Sequence, residues 1–277
     1  RVLVSRATGT LNTPYGGLLC AAIKRLTSHN GINAVKSSDQ FQVFTVMNKV
    51  QSLSQRLEQR LLTGEWVPGD KLPAQDQLVS DLGVARTTLR ESVGVLQGRG
   101  LLQVRHGSGT YVNNLFEESF IAPLNQISMH DPQAQLAVLE MRQVLEGEAA
   151  WYVCQRASDQ QLAEIGAEYQ RMLERAESLP LLERSKEDLK FHMLIAHASH
   201  NLIVASLSQL LYSKMFNTIF AALSGGMLEQ PGCMELVDRH HSELHIALMQ
   251  RDGVNAKRIA QAHARHTARM LRQQIQL

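Results

Sequence analysis

Within "KEDLKFHMLIAHASHN", residues 186–201, Asp188 and His192 stand four positions apart in a stretch of helical character. Four residues is slightly more than one helical turn, so a carboxylate and an imidazole at this spacing lie on one face and can share an ion. The same pair also arises on solvated helices, where it binds nothing. Alone it does not separate a catalytic metal from a sensory one or from none. Eight of the eleven histidines fall late in the chain: His192, His197, His200, His240, His241, His245, His263 and His266. Asp188 and His192 occupy one predicted helix, His241 and His245 a second, His263 and His266 a third, and a divalent metal favours such groups converging from different helices. His197, His200, His240 and His266 suit surface or capping positions better than ligation.

An open position on a metal would also permit hydrolysis, but a hydrolase needs a general base beside the bound water, as in HExxH helices where a Glu lies between the two ligands. Here the interval holds Leu189, Lys190 and Phe191. Glu243 follows His241 closely but has no evident partner. The chain has no Gly-rich phosphate loop, no GxSxG elbow and no Cys-His arrangement. The expectation is therefore no enzyme. The alternatives are a metal-dependent enzyme, or a metal- or carboxylate-binding module with a degraded DNA-binding domain.

The elements that must position these groups follow from pattern. A chain of 277 residues with 44% hydrophobic and only 5% aromatic content suits a protein built mainly of helices, with room for two modest cores. No apolar stretch approaches the ~18–20 residues needed to cross a bilayer, and no signal-peptide layout is recognisable, so the expectation is no membrane partner. Cys20, Cys154 and Cys233 share no metal-type spacing and read as free thiols of a reducing cytoplasm. The net charge of +2 conceals an asymmetry: residues 1–45 sum to +4, residues 46–112 to +2 and residues 113–277 to −4. A polyanion would meet the front.

Residues 1–45 show no sustained period and read as an extension. From Val46 the apolar positions Val46, Val50, Leu53, Leu57 and Leu61 recur at helical spacing and stop at Gly64, a left-handed cap. "VPGDKLPA" breaks the chain, a short helix carries Leu78 and Leu82, and Gly83 marks a tight turn. A third helix starts near Arg86 with Leu89, Val93 and Leu96 on one stripe. "LLQVRHGSGTYV" then makes two strands joined at "HGSG". Residues 46–112 are thus a winged helix-turn-helix. Residues 113–130 read as a linker, and Asp131-Pro132 opens an all-helical domain over 131–277 of roughly six helices. Its predicted interruptions are Ser158-Asp159, Pro180, Gly225-Gly226, Pro231-Gly232 and Asp252-Gly253.

In the second helix of such a motif, Arg86, Thr87, Thr88 and Arg90 begin the outer face, where Arg can pair with guanine and Thr with phosphate or a thymine methyl. Arg105, His106 and Gly107 in the wing would approach the backbone or minor groove. Arg and Thr on an exposed helix are also ordinary surface. The segment "GDKLPAQDQLVSDLGVARTTLRESVGVLQGRGLLQVRHGSGTYV" closely resembles the DNA-binding domain of the GntR family of bacterial regulators. The resemblance implies DNA contact by Arg86, Thr88, Arg90, His106 and Gly107. Two departures stand out. Gln75-Asp76 replaces the usual Glu-Arg, putting a charge that repels phosphate where an arginine commonly touches DNA. Ala85 replaces the usual Ser or Thr cap, at a cost of ~0.5–2 kcal/mol.

"LEMRQVLEGEAAWYV", "DLKFHMLIAHASHN" and "HHSELHIALMQRDGVNAKRIAQAHARH" look like the helical effector domain, FCD, of the FadR-type branch of that family. The resemblance implies a metal site of Asp188, His192, His241 and His263, holding zinc, with nickel or manganese as alternatives. "LEGEAA", "ASHN" and "MFNTIFA" are similar to glycolate- and lactate-responsive members, which implies a small 2-hydroxy acid as effector, chelating an open metal position. Arg142 matches an arginine near the family's pocket that could pair with the effector carboxylate, its other reading being a surface ion pair. Asn217 is a candidate hydrogen-bonding group. Together these imply a cytoplasmic bacterial regulator, homodimeric, that reads a short inverted repeat of double-stranded DNA.

Overall fold

Apolar residues at helical spacing fold this chain into nine helices and one two-stranded ribbon among the described residues. These are residues 37–116, 131–175, 179–229 and 232–274 of a computed structural model; the extension before residue 37, most of the linker, Cys20 and the side chain of Cys233 lie outside them. Contacts divide the chain into units 1–49 and 50–277. From the first unit only the start of helix α1 (Ser37–Leu62) is described. That helix starts at Ser37, upstream of Val46, because "SSDQFQVFT" contains no Gly or Pro to stop propagation.

In the second unit α1 buries Leu53, Leu57 and Leu61 and ends at Gly64, whose φ is +71°. Helix α2 (Gln75–Leu82) and helix α3 (Arg86–Gly98) form the helix-turn-helix around Gly83. Ala85 stands at the N-cap of α3 and provides no side-chain hydrogen bond, as its methyl must. Leu89, Val93 and Leu96 point inward. Strands β1 (Leu102–Arg105) and β2 (Gly109–Val112) pair antiparallel, Leu102 opposite Val112 and Arg105 opposite Gly109. Lys71 adds a single bridge to Tyr111.

Six helices follow: α4 (Pro132–Arg156), α5 (Asp159–Arg175), α6 (Leu181–Ala198), α7 (Leu202–Glu229), α8 (Cys233–Met249) and α9 (Gly253–Gln274). Asp131 caps α4 by accepting from the Gln133 amide at 2.8 Å, with Pro132 behind it. Phe191, Ile195, Leu244, Leu248, Val153, Ile165 and Ile259 fill the core of this bundle. At Gly147 a Cβ would stand 2.7 Å from Gln261 Cγ, so the missing side chain lets α9 lie close on α4. Two expected boundaries change. Gly225-Gly226 does not interrupt α7, whose apolar flanks carry it through to Glu229. A break that composition did not flag falls at Ser199–Asn201, where His200 takes φ +49° and Asn201 Oδ1 accepts from the amides of Ile203 and Val204.

This second break is where the bundle meets the winged motif. Leu202 is buried in the same apolar cluster as Leu57, Leu61 and Leu89. His200 Nδ1 lies 3.0 Å from the Thr63 carbonyl and Nε2 lies 2.8 Å from Gln161 Oε1. Asn114 Nδ2 donates to Ser206 O and Gln209 Oε1. A Cβ at Gly64 would stand 2.7 Å from His200 Cα, a backbone atom with no freedom to yield. Gly83 has a similar φ of +63° but nothing within 4 Å. Gly83→Ala should therefore cost only the left-handed strain, about 1 kcal/mol, and Gly64→Ala about 2–3 kcal/mol because it also forces the joint apart. At ~2–4 °C per kcal/mol, thermal unfolding should separate the two variants by several degrees. Equal melting temperatures would mean that the α6–α7 turn does not bear on Gly64.

Candidate metal centre and DNA interface

Three helices bring four donor groups together. Asp188 and His192 sit one turn apart on α6, His241 on α8 and His263 on α9, and one ligand atom from each lies within 4.8 Å of every other. Asp188 Oδ1 is 2.8 Å from His241 Nε2 and 3.7 Å from His192 Nε2, and the two Nε2 atoms are 3.3 Å apart. Ligands at ~2.0–2.1 Å on a tetrahedral zinc are ~3.4 Å apart and on opposite sides of an ion ~4.2 Å. The set thus fits one divalent ion after adjustments of a few tenths of an ångström. The imidazoles are buried, and Phe191 presses edge-on against both His192 and His241.

Electrostatics favours ligation. Burial works against the Asp188 charge, yet His192 and His241 beside it hold its carboxyl well below the usual carboxylate range. Burial, then the neighbouring His241, His192 and Arg142, push His263 well below the ordinary imidazole value, so it is a neutral ring with a lone pair to offer. Among the described residues, the buried His263 Nδ1 has no hydrogen-bond partner. Two imidazole nitrogens face one another at 3.3 Å with the Asp188 carboxylate beside them, an approach that suits a shared divalent ion.

Behind the donors lies a second polar layer. Arg142 and Glu146, one turn apart on α4 and both nearly inaccessible, form an ion pair. Tyr212 on α7 donates to Glu146 Oε1 at 2.5 Å, and Arg142 Nη2 reaches His263 Nε2 at 3.3 Å. Burial works against the Arg142 charge, but Glu146 and its neighbours raise its pKa above its ordinary value. Burial and Glu146 push the Tyr212 phenol well above its own, which keeps it a donor.

On the winged motif, Arg86, Thr87 and Arg90 are exposed along α3 with Thr88 half-buried beside them, and His106 and Gly107 form the exposed wing turn. Asp76 does not stand alone: its carboxylate is 2.6 Å from Arg86 Nη2. In the wing, Arg105 lies over the Tyr111 ring and Ser108 Oγ is 2.7 Å from the Tyr111 hydroxyl.

Comparison with known proteins gives two family matches. Residues 49–112 match the model for bacterial regulatory proteins of the gntR family, and residues 137–266 match that for the FCD domain. The Glc operon transcriptional activator of Escherichia coli K12 is 30% identical over 216 residues, covering 77% of this chain and 85% of the relative. The chain belongs to the GntR family. A second E. coli K12 protein, whose name ties it provisionally to regulation of the L-lactate dehydrogenase operon, is 28% identical over 199 residues, 70% of this chain and 75% of its own. Among solved structures, a Streptococcus agalactiae GntR protein is similar at 24% identity over 79% of this chain and 99% of that one, with a TM-score of 0.46.

This GntR-family chain is a DNA-binding regulator, and its relatives are transcriptional regulators, not enzymes. Its winged motif carries the sequence-predicted DNA face and its FCD domain a candidate Asp/His metal site. The other histidines stay outside the donor cluster: His245 stacks on Tyr169 at 4.4 Å and His200 serves the α6–α7 turn. Arg142 is in a buried ion pair rather than a surface one. Asn217 is on α7, but its side chain lies outside the described residues. Sequence reasoning missed Glu146 and Tyr212; the signal for Glu146 was its spacing of four from Arg142. Glu146→Ala would strand the Arg142 guanidinium in the interior, so urea unfolding should show a loss of about 3–5 kcal/mol. Tyr212→Phe, which removes one hydrogen bond, should lose about 0.5–1.5 kcal/mol. A near-silent Glu146→Ala would mean that water reaches the pair.

Proposed function

We propose that this GntR-family protein is a homodimeric regulator in the bacterial cytoplasm whose affinity for an inverted-repeat operator is set by a small carboxylate, a 2-hydroxy acid, at a zinc ion held by Asp188, His192, His241 and His263. The observation that carries the reading is the convergence of these four donors within 4.8 Å. Zinc there supplies Lewis-acid positions that a hydroxyl and a carboxylate oxygen can share. In that reading Asp188 and the imidazoles would hold the ion, Phe191 packs edge-on against His192 and His241, and the Arg142–Glu146 pair lies beside His263, whose contact with Arg142 would give way to the ion. Arg86, Thr87, Thr88 and Arg90 read the major groove from α3, and His106 and Gly107 approach the backbone from the wing.

Transmission is short. Helix α6 carries Asp188 and His192 and ends at Ala198, directly before the turn whose His200 and Leu202 meet the winged motif. A ligand that binds two placements of α6 unequally thereby favours one placement of α3. Met141 and Val144, exposed apolar residues on α4, offer a face for a second copy, which would set two recognition helices about one DNA turn apart.

Fluorescence anisotropy of labelled DNA from the gene's upstream region, with and without glycolate and lactate, tests the whole. Tight, salt-sensitive binding that one acid shifts is the expected result. Arg90→Ala should abolish operator binding and leave zinc content unchanged; wild-type operator affinity in that variant would remove α3 as the reading face. His241→Ala should lose zinc and the acid response while still binding DNA. Unchanged metal content and response in that protein would sink the site.

A further inference from the structure

Among the described residues, the spaces that border the donor cluster differ in size. Toward α4 and α7, the cavity bordered by Glu146, His192 and Tyr212 has a volume of about 10 Å³, and the cleft at Arg142 has none. That is room for one water at most. Between α5, α6 and α8 a cavity of about 120 Å³ opens onto Asp188 and His241. Its walls are largely apolar, with Met172, Leu173, Met234 and Val237 among them, and Arg184 stands in its lining.

Arg184 is placed by helix geometry. It precedes Asp188 by four residues on α6, so the two share a face, and Asp238 precedes His241 by three on α8. The two helices therefore present two rungs across the cavity: Asp188 to His241 at 2.8 Å, and one turn above it Arg184 to Asp238 at 3.5 Å. The upper rung is loose, and the Asp238 side chain is half exposed, so water can take over from Arg184 when the pair opens. Arg142 has no such freedom, because leaving Glu146 would strand two charges in the interior. With a divalent ion in place, Arg175, Arg184, Glu187, Asp188 and Asp238 around the cavity sum with it to a net +1, which suits an anion.

We infer that the effector binds on the α5–α6–α8 side of the metal centre, its carboxylate paired with Arg184 and an apolar substituent lying along Met172, Met234 and Val237. This rests on the reading of the Asp/His cluster as an effector-bearing metal site. It narrows the effector class to 2-hydroxy acids with a side chain longer than that of lactate, and it assigns the carboxylate to Arg184 in place of Arg142.

The test is isothermal titration of the zinc-loaded full chain with lactate and with 2-hydroxyhexanoate. The longer acid should bind about ten-fold tighter or more, from three additional buried methylenes. Arg184→Ala should weaken both acids by about ten-fold or more while zinc stoichiometry stays at the wild-type value, and Arg184→Lys should recover part of the loss. Leu173→Trp, a change at a half-exposed position of the cavity wall, should weaken 2-hydroxyhexanoate selectively. Wild-type affinities in Arg184→Ala, or equal affinities for the two acids that Leu173→Trp leaves equal, overturn the inference and leave the metal-bound carboxylate standing. A zinc-loaded wild-type protein that binds neither acid overturns both.

Discussion

The FCD domain of this protein is organised around a cluster that a dry helical interior does not tolerate without compensation. One carboxylate and three imidazoles meet among Phe191, Leu244 and their neighbours, and each polar atom that loses water there must find a partner. The protein supplies part of the compensation itself. Asp188 lies against two imidazoles, and Arg142, Glu146 and Tyr212 close the back of the site in a chain of short contacts. Among the described residues His263 Nδ1 has no hydrogen-bond partner, and a cation is one species that could satisfy it. At Gly147 α9 lies close on α4, and from the same helix His263 comes within 3.3 Å of Arg142.

Because the ligands come from α6, α8 and α9, anything that draws them together acts on whole helices, which move as rigid bodies far more readily than they bend. Helix α6 is the consequential one. It ends in a three-residue turn in which His200 is held in left-handed conformation, with the Thr63 carbonyl on one ring nitrogen and Gln161 on the other. Arg156 donates to the carbonyls of Ser199 and His200 and ties α4 to the same turn. Leu202, the first residue beyond it, is buried in the core of the winged motif. The Asp/His cluster and the winged motif are thus linked by one helix and one turn with a left-handed residue.

Some of this was legible in the sequence because it depends on local period and on fixed spacing. The stripe of Leu89, Val93 and Leu96, the left-handed end at Gly64, the Asp131-Pro132 start and the Asp188–His192 spacing each follow from backbone geometry that any such helix shares. What escaped is tertiary. Gly225-Gly226 reads as a break in isolation, yet α7 passes through it. "SHN" at 199–201 reads as the continuation of a helix, yet Asn201 caps a new one, and the reason lies in the contact of His200 with Thr63, far away in the chain. Arg142 matches the family's arginine in sequence; that it is buried and bound to Glu146, with Tyr212 of α7 and His263 of α9 beside it, shows only in the fold. Arg184 carries no signal until Asp238 and the cavity stand beside it.

The departures in the helix-turn-helix have a similar resolution. In sequence, Asp76 is a misplaced negative charge facing phosphate. In the fold it holds Arg86, and both side chains are largely exposed. An exposed pair of this kind contributes only about 0–1 kcal/mol, whereas a guanidinium brought against a phosphate gains a charge-assisted bidentate contact and releases a counterion. Opening the Arg86–Asp76 pair therefore costs little, and Asp76 leaves the guanidinium available to an anion. Ala85 likewise removes one capping bond from α3, but that helix is anchored by Leu89 and Leu96 in the core, so its position does not depend on its first turn. Neither change therefore disturbs the packing of α3 or the exposure of its outer face.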